Sequence, residues 1–296
     1  MELRSKGDKW FDVFNIIFML FVVVVTLAPF WFALVGSFND GVDYLRGSVY
    51  LWPREFTLAN YQAVLSDSGL YHAYFITISK TLVGMSTHIA LTALVAYGMS
   101  RKELKGRNFY LLIMMIAMFF YGGLIPTYLL YKQIGLLNNF LVYIIPSMFS
   151  IWDMIIIMSF FRTLPEPIFE SARMDGAGEY RIFIQLVLPL TKPVLAAIAL
   201  FNGVYQWNTY MDAMMFTTKS SLETVQLVLM RLVTDASYGE ALGQQASMYM
   251  PDEAKHISPA TLKLAMMVAT TAPIVAIYPF LQKYFVKGVL IGSVKG

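Results

Sequence analysis

Six stretches of this sequence run long enough to cross a bilayer with almost no charged side chain: Val13–Gly36, Thr81–Ser100, Phe109–Tyr131, Phe140–Phe161, Pro193–Met211 and Leu264–Gln282. A spanning helix needs about 20 mostly apolar residues, because hydrocarbon offers the backbone no hydrogen-bond partner except itself. Asp153 is the one charge within all six. None shows the single polar face of a helix that lies on a membrane surface. The charged fraction of 14% agrees, since a soluble domain carries about 25%. The expected fold is all-α: a polytopic membrane protein with six transmembrane helices, one membrane domain over 1–296, and a helical loop between two spans.

Other classes are excluded early. With no cysteine there is no disulfide scaffold and no thiolate metal site. His72, His88 and His256 are too far apart to suggest an all-His centre, so no metal is expected, and a net charge of +3 gives no reason to expect nucleic acid. The first apolar run is longer than the core of a secretory signal and lacks a small-residue cleavage site, so it reads as a retained helix. With the N-terminus inside, the inner segments hold twice as many Lys and Arg as the outer ones, which fits the positive-inside rule. Both termini then lie inside. Segments 37–73 and 217–260 become long outer loops with acidic balance, and 162–188 becomes a long, charged inner loop. Tyr238, Met248 and Tyr249 give the second outer loop side chains suited to contact with another molecule.

The inner loop has its own punctuation. Pro165 and Pro167 suit a helix start, and Glu166 and Glu170 suit the positive end of its dipole. Gly176, after Asp175, can take the left-handed conformation that ends a helix. A second helix is expected from about Glu179 toward Leu188. The resulting elbow surrounds apolar Ile168, Phe169, Ala172, Ile182 and Phe183 with charge. The plain alternative is a solvated linker.

Here the residues resemble a known family. Glu170-Ser-Ala, then Asp175-Gly176-Ala177, then nine residues from Gly176 to Leu186, then Leu188-Pro189, is similar to the EAA loop of ABC-transporter permeases. Ser171 and Leu186 depart mildly from that pattern. Pro53 to Tyr61, with Thr57 and Asn60, resembles a segment of the carbohydrate-type, maltose-transporter-like permeases, as do Ala96–Arg101, Gly122–Thr127 and Lys287–Gly296. The nearest subgroup is permeases for complex oligosaccharides, including uronate-containing ones.

The resemblance implies a pore-forming, non-catalytic subunit of an ATP-driven importer in a bacterial inner membrane. It implies a second, related permease, two ATPase subunits, and an extracytoplasmic binding protein that delivers an oligosaccharide. The chain has no phosphate-binding G-x-x-x-x-G-K-[ST] loop, so ATP and Mg2+ are assigned to the partners and no cofactor to this chain. Glu170, Ala172, Asp175, Gly176, Ile182 and Phe183 are the expected ATPase-coupling residues, with Ile182 and Phe183 entering a cleft on the ATPase. The tail Ser293–Gly296 is either a further contact or a free end.

Polar groups inside the apolar runs mark possible pathways. Asn202, Gln206 and Tyr210 repeat every four residues, so one helix face would carry them. They are the expected substrate path, with helix–helix bonding as the alternative. Asp153 is expected near mid-depth and needs a partner, with His88 or Lys80 in reach by depth. Lys80 is expected to extend to the outer surface. Gly122, Gly123 and Pro126 should weaken or kink the third helix. The competing function is an ion-coupled secondary transporter, which would call for more intramembrane acids. A membrane enzyme lacks any nucleophile–base or acidic metal motif.

Overall fold

The computed structural model describes residues 6–47, 49–120, 122–242 and 257–293. They are helical almost throughout: among them the only extended pairing is one antiparallel bridge between Asn39 and Phe56. Internal contacts divide the chain into two units, residues 1–70 with 229–272, and residues 71–228 with 273–296.

The first unit contains α1 (Lys6–Ser37), α2 (Gly41–Leu45) and α3 (Ala59–Ser66). Its apolar side chains along α1, Phe14, Leu20 and Phe30 among them, are exposed. A helix apolar on every side and left uncovered suits lipid, not water. The segment after α1 is tied down by two buried amides. Asn39 accepts from the backbone of Arg54 and Glu55 and donates to Asp43. Asn60 donates to the carbonyls of Ser37 and Asn39 and accepts from Thr261. Arg54 closes on Asp43 at 2.8 Å. The Asn39 amide and then Arg54 hold the Asp43 carboxyl below its ordinary range. The segment expected as a loop over 37–73 thus contains α2, α3 and this bonded network.

In the second unit α4 (Ser68–Ser100) is one helix of 33 residues, about 50 Å at 1.5 Å per residue. The third apolar run is not one helix. It divides into α5 (Arg107–Phe119) and α6 (Leu124–Gln133), with an extended Phe120 and Gly123 at φ +89° between them, where Gly122, Gly123 and Pro126 anticipated a weak point. The fourth run begins as two 3-10 turns, Phe140–Tyr143 and Ile145–Ser147, and bends by 48° into α7 (Ile151–Phe161). Asp153 therefore stands in the first turn of α7, where Ser150 caps it.

Next come α8 (Glu166–Met174), α9 (Glu179–Ile182), a π-helical stretch Phe183–Val187 and α10 (Leu188–Leu190). The π stretch lies just before Pro189, whose ring would clash with the carbonyl of Gln185 in a regular α turn. The chain then bends by 80° into α11 (Lys192–Asn208). The fifth run thus ends two residues before Tyr210, which starts the next helix, α12 (Met211–Phe216). Tyr210 does not extend the face of Asn202 and Gln206, as the spacing suggested, because the helix that would carry it has stopped.

Segment 217–260 is not a loop throughout: α13 (Val225–Leu242) occupies much of it. Met248, Tyr249 and 294–296 of the tail lie outside the described residues, as does the side chain of Tyr238. The last helix is α14 (Pro259–Ser293). Among the described residues three helices are long and apolar enough to cross a membrane, and the number reaches six if each bent pair counts as one span.

Candidate functional site

The elbow is built from its turn outward. Gly176 sits at φ +77°, its N–H donates to the carbonyl of Arg173, and the Ala177 N–H donates to that of Ala172. This is the paired closure that satisfies the last carbonyls of α8 and needs a left-handed residue, which glycine adopts without strain. The turn folds α9 back, so that one face of the elbow packs inward. Phe169, Ala172, Ile182, Phe183 and Val187 are buried with Tyr97 of α4, Ile157 and Phe161 of α7, and Ile198 of α11. Ile182 and Phe183 are therefore not an outward knob, contrary to expectation: their burial docks the elbow onto its own chain. The outward face carries Glu170, Asp175, Met174 at 88% exposure and Tyr180 at 76%. Neither Glu170 nor Asp175 makes an ion pair among the described residues.

A charged clamp holds the elbow to the end of α4. The Tyr97 hydroxyl donates to Glu179. Arg173 reaches Glu179 at 3.1 Å and Glu103 at 3.5 Å. The Arg101 guanidinium lies 4.2 Å from the ring centre of Phe169, with Glu103, Glu166 and Glu179 all within 4.0 Å. Burial works against the Glu179 carboxylate, but Tyr97 and Arg173 outweigh it and hold its pKa below the ordinary value. Glu103 is lowered as well, first by its own backbone N–H, against a burial penalty that Arg101 and Arg173 help to offset.

A second polar centre lies at the bent fourth and fifth runs. Lys80 is fully buried and does not reach any surface, as the sequence suggested it would. Its ammonium donates to the Thr209 carbonyl at 2.9 Å, the free end of α11, and lies 5.1 Å from the Tyr143 ring centre. That carbonyl lies one residue past α11, and as a backbone acceptor it suits a buried cation. His88 meets both the Ser147 carbonyl at 2.7 Å and Asp153 at 2.9 Å. Gln206 donates to the Ser147 hydroxyl at 2.6 Å, so it joins α11 to the 3-10 turns. Gly84 of α4 makes room for it: a Cβ there would stand 2.7 Å from Gln206 Nε2.

These groups bound a half-open cavity of about 360 Å³, walled by His88, Tyr143, Ser150, Asp153, Asn202 and Tyr205. The Asn202 Oδ1 is buried and has no partner among the described residues. Of the expected pathway residues, Asn202 thus faces the cavity, Gln206 is spent on a helix contact, and Tyr210 packs against the apolar cluster of Val142, Tyr143, Ala213 and Phe216. Tyr205 was missed in the sequence, although its place three residues after Asn202 on the same helix could have indicated it. Lys80 was legible only as an unusual intramembrane charge.

The family described as "Binding-protein-dependent transport system inner membrane component" matches residues 1–291. Protein LplC of Bacillus subtilis (strain 168) is 37% identical over 99% of this chain and 97% of its own length. The polygalacturonan/rhamnogalacturonan transport system permease protein YtcP of the same organism is 34% identical over 98% and 99%. A crystal structure of a bacterial ABC transporter involved in the import of the acidic polysaccharide alginate contains a similar chain. It has a TM-score of 0.86 and 27% identity, over 96% of this chain and all of that one.

Proposed function

The chain belongs to the binding-protein-dependent transport system inner membrane components, and from that membership we propose that it is a pore-forming permease subunit of an ATP-driven oligosaccharide importer. It works beside a second, related permease and two ATPase subunits, and receives its sugar from an extracytoplasmic binding protein. ATP and Mg2+ are held by the ATPases. The match along nearly the whole chain does not favour an ion-coupled secondary transporter.

In this reading the chain crosses the membrane six times, each bent pair counting as one span, with both termini and the elbow on the cytoplasmic side. The elbow is the coupling element. The observation that carries this is its division into two faces: Ile182 and Phe183 fix it to α4, α7 and α11, while Glu170, Met174 and Tyr180 face outward. An ATPase moving against the outward face displaces the elbow as a rigid piece, because the inward face and the clamp resist independent motion. Ala172 supports the inward face, and Asp175 with Gly176 sets the bend. The substrate passes Asn202, with Gln206 and Tyr210 shaping the walls behind it.

The test is copurification and uptake. A tagged chain expressed with its neighbouring genes should bring down an ATPase and a second permease, and the complex in vesicles should take up labelled oligosaccharide only with ATP and a binding protein. Ion-gradient-driven uptake without an ATPase would overturn the reading. A cysteine at Ser247 should react with an impermeant thiol reagent in intact cells; reaction only after lysis would reverse the topology.

A further inference from the structure

The hydrogen-bond balance of the cavity beside α11 restricts what it can hold. The Ser147 carbonyl only accepts, so His88 Nδ1 must donate to it, and Nε2 then faces an Asp153 oxygen. A proton lies between Nε2 and that oxygen whichever atom holds it, so the pair as a whole carries no net charge. The other Asp153 oxygen remains an acceptor. Asn202 Oδ1, in a residue only 8% exposed, is an acceptor without a donor, and a buried acceptor in that state is satisfied by a guest that donates. Asp212 adds a further carboxylate to the wall. No Lys or Arg is among the described residues lining the cavity; the nearby Lys80 ammonium is engaged by Thr209. Phe201 and Tyr205, four residues apart on α11, are more than half exposed at its edge and offer the flat apolar faces on which sugar rings rest.

We propose that this cavity is a subsite for an uncharged sugar unit, whose hydroxyls donate to Asn202 Oδ1 and Asp153, and that it rejects a uronate carboxylate. Sugar hydroxyls bring a donor to Asn202 Oδ1, which has none among the described residues. A carboxylate brings two more acceptors beside the oxygens of Asp153 and Asp212, and among the described residues no Lys or Arg lines the cavity to meet it, Lys80 standing behind the wall on Thr209 and Asp212. The inference rests on the permease reading and deepens it: the acid groups of an acidic oligosaccharide would pass elsewhere, or only when esterified.

The absence of cysteine supplies the experiment. In the purified transporter with its ATPases, Ser150→Cys places one thiol of this chain in the cavity wall, and its labelling by a small methanethiosulfonate is followed by mass. The probes are galactotetraose, xylotetraose, tetragalacturonate and methyl-esterified tetragalacturonate. A neutral tetrasaccharide or the ester should slow labelling about tenfold at ten times its Kd, and the free acid should not. Adding Asn202→Leu should remove most of the protection. Phe149→Cys serves as a second site in the wall if the Ser150 variant does not assemble. Equal or better protection by the free acid, or protection by none of the probes, overturns the proposal. ATP-dependent uptake on the same preparation separates this from the function itself: uptake without cavity protection defeats the subsite alone, whereas no ATP-dependent uptake of any sugar defeats the permease reading.

Discussion

The Lys80 ammonium donates to the carbonyl of Thr209, 129 residues further along the chain, inside a protein interior that leaves Lys80 no exposure. One cation thereby closes the end of α11, and Asp212 at the start of α12 attracts it as well. Lys80→Met removes the charge and leaves the Thr209 carbonyl and the half-buried Asp212 carboxylate without it. The expected loss is about 1.5–3 kcal/mol, read as a lower melting temperature of the purified complex. Lys80→Met with Asp212→Asn should recover part of it; a double variant no better than the single one would separate the two groups energetically.

The clamp on the elbow is sensitive to acid. Glu179 has a pKa held below its ordinary 4.5, so the stability it adds is complete above that value. It is lost as pH falls through the lowered one. Retention of the ATPase subunits should be constant from neutral pH down to about 4.5 and fall below it. Glu179→Gln should weaken retention at neutral pH and flatten the dependence. An unchanged profile in that variant would show that other groups set it.

Gly176 is held at φ +77° with open space where a Cβ would stand, so substitution there changes backbone strain and little else. Gly176→Val should cost about 1 kcal/mol or more and reduce ATPase retention and uptake, while insertion and pairing with the second permease survive. Gly176→Asn, which tolerates left-handed backbone, should lie close to the parent. Two variants with the same phenotype would place the cause outside the backbone angle.

The contact between Gly84 and Gln206 tests how tightly α4 meets α11. Gly84→Ala puts a methyl 2.7 Å from the Gln206 amide nitrogen and should destabilise by about 1–3 kcal/mol. Gln206→Ala in the same chain should relieve part of that. Gln206→Leu alone removes the bond to Ser147 and should lower stability by about 1 kcal/mol. Reduced uptake by Gln206→Leu at unchanged melting temperature would instead put this side chain on the sugar path.

What could be read in the sequence was local. The six apolar runs all contain helix, and Gly176 ends α8 where its position after Asp175 indicated. The weakness of the third run was legible in Gly122, Gly123 and Pro126. What escaped depends on distant packing. Ile182 and Phe183 are apolar in a charged loop, and nothing nearby says whether such residues meet another protein or their own core; Tyr97, Ile157 and Ile198 decide it. Lys80 has a side chain long enough to reach a surface, and only the end of α11 at Thr209 holds it inside. Asn202 and Gln206 share a face, as spacing implied. One borders the cavity and the other is engaged, because Ser147 takes the Gln206 amide.

The π-helical stretch before Pro189 has a historical consequence. It carries one residue more per turn than its neighbours, and every residue turns a helix by about 100°. Deleting Gln185 would restore regular spacing but press the Pro189 ring against the carbonyl four positions back. Replacing Pro189 first removes that obstacle. The extra residue is therefore lost at least cost when the proline goes before the deletion, and Pro189 tends to hold the insertion in place.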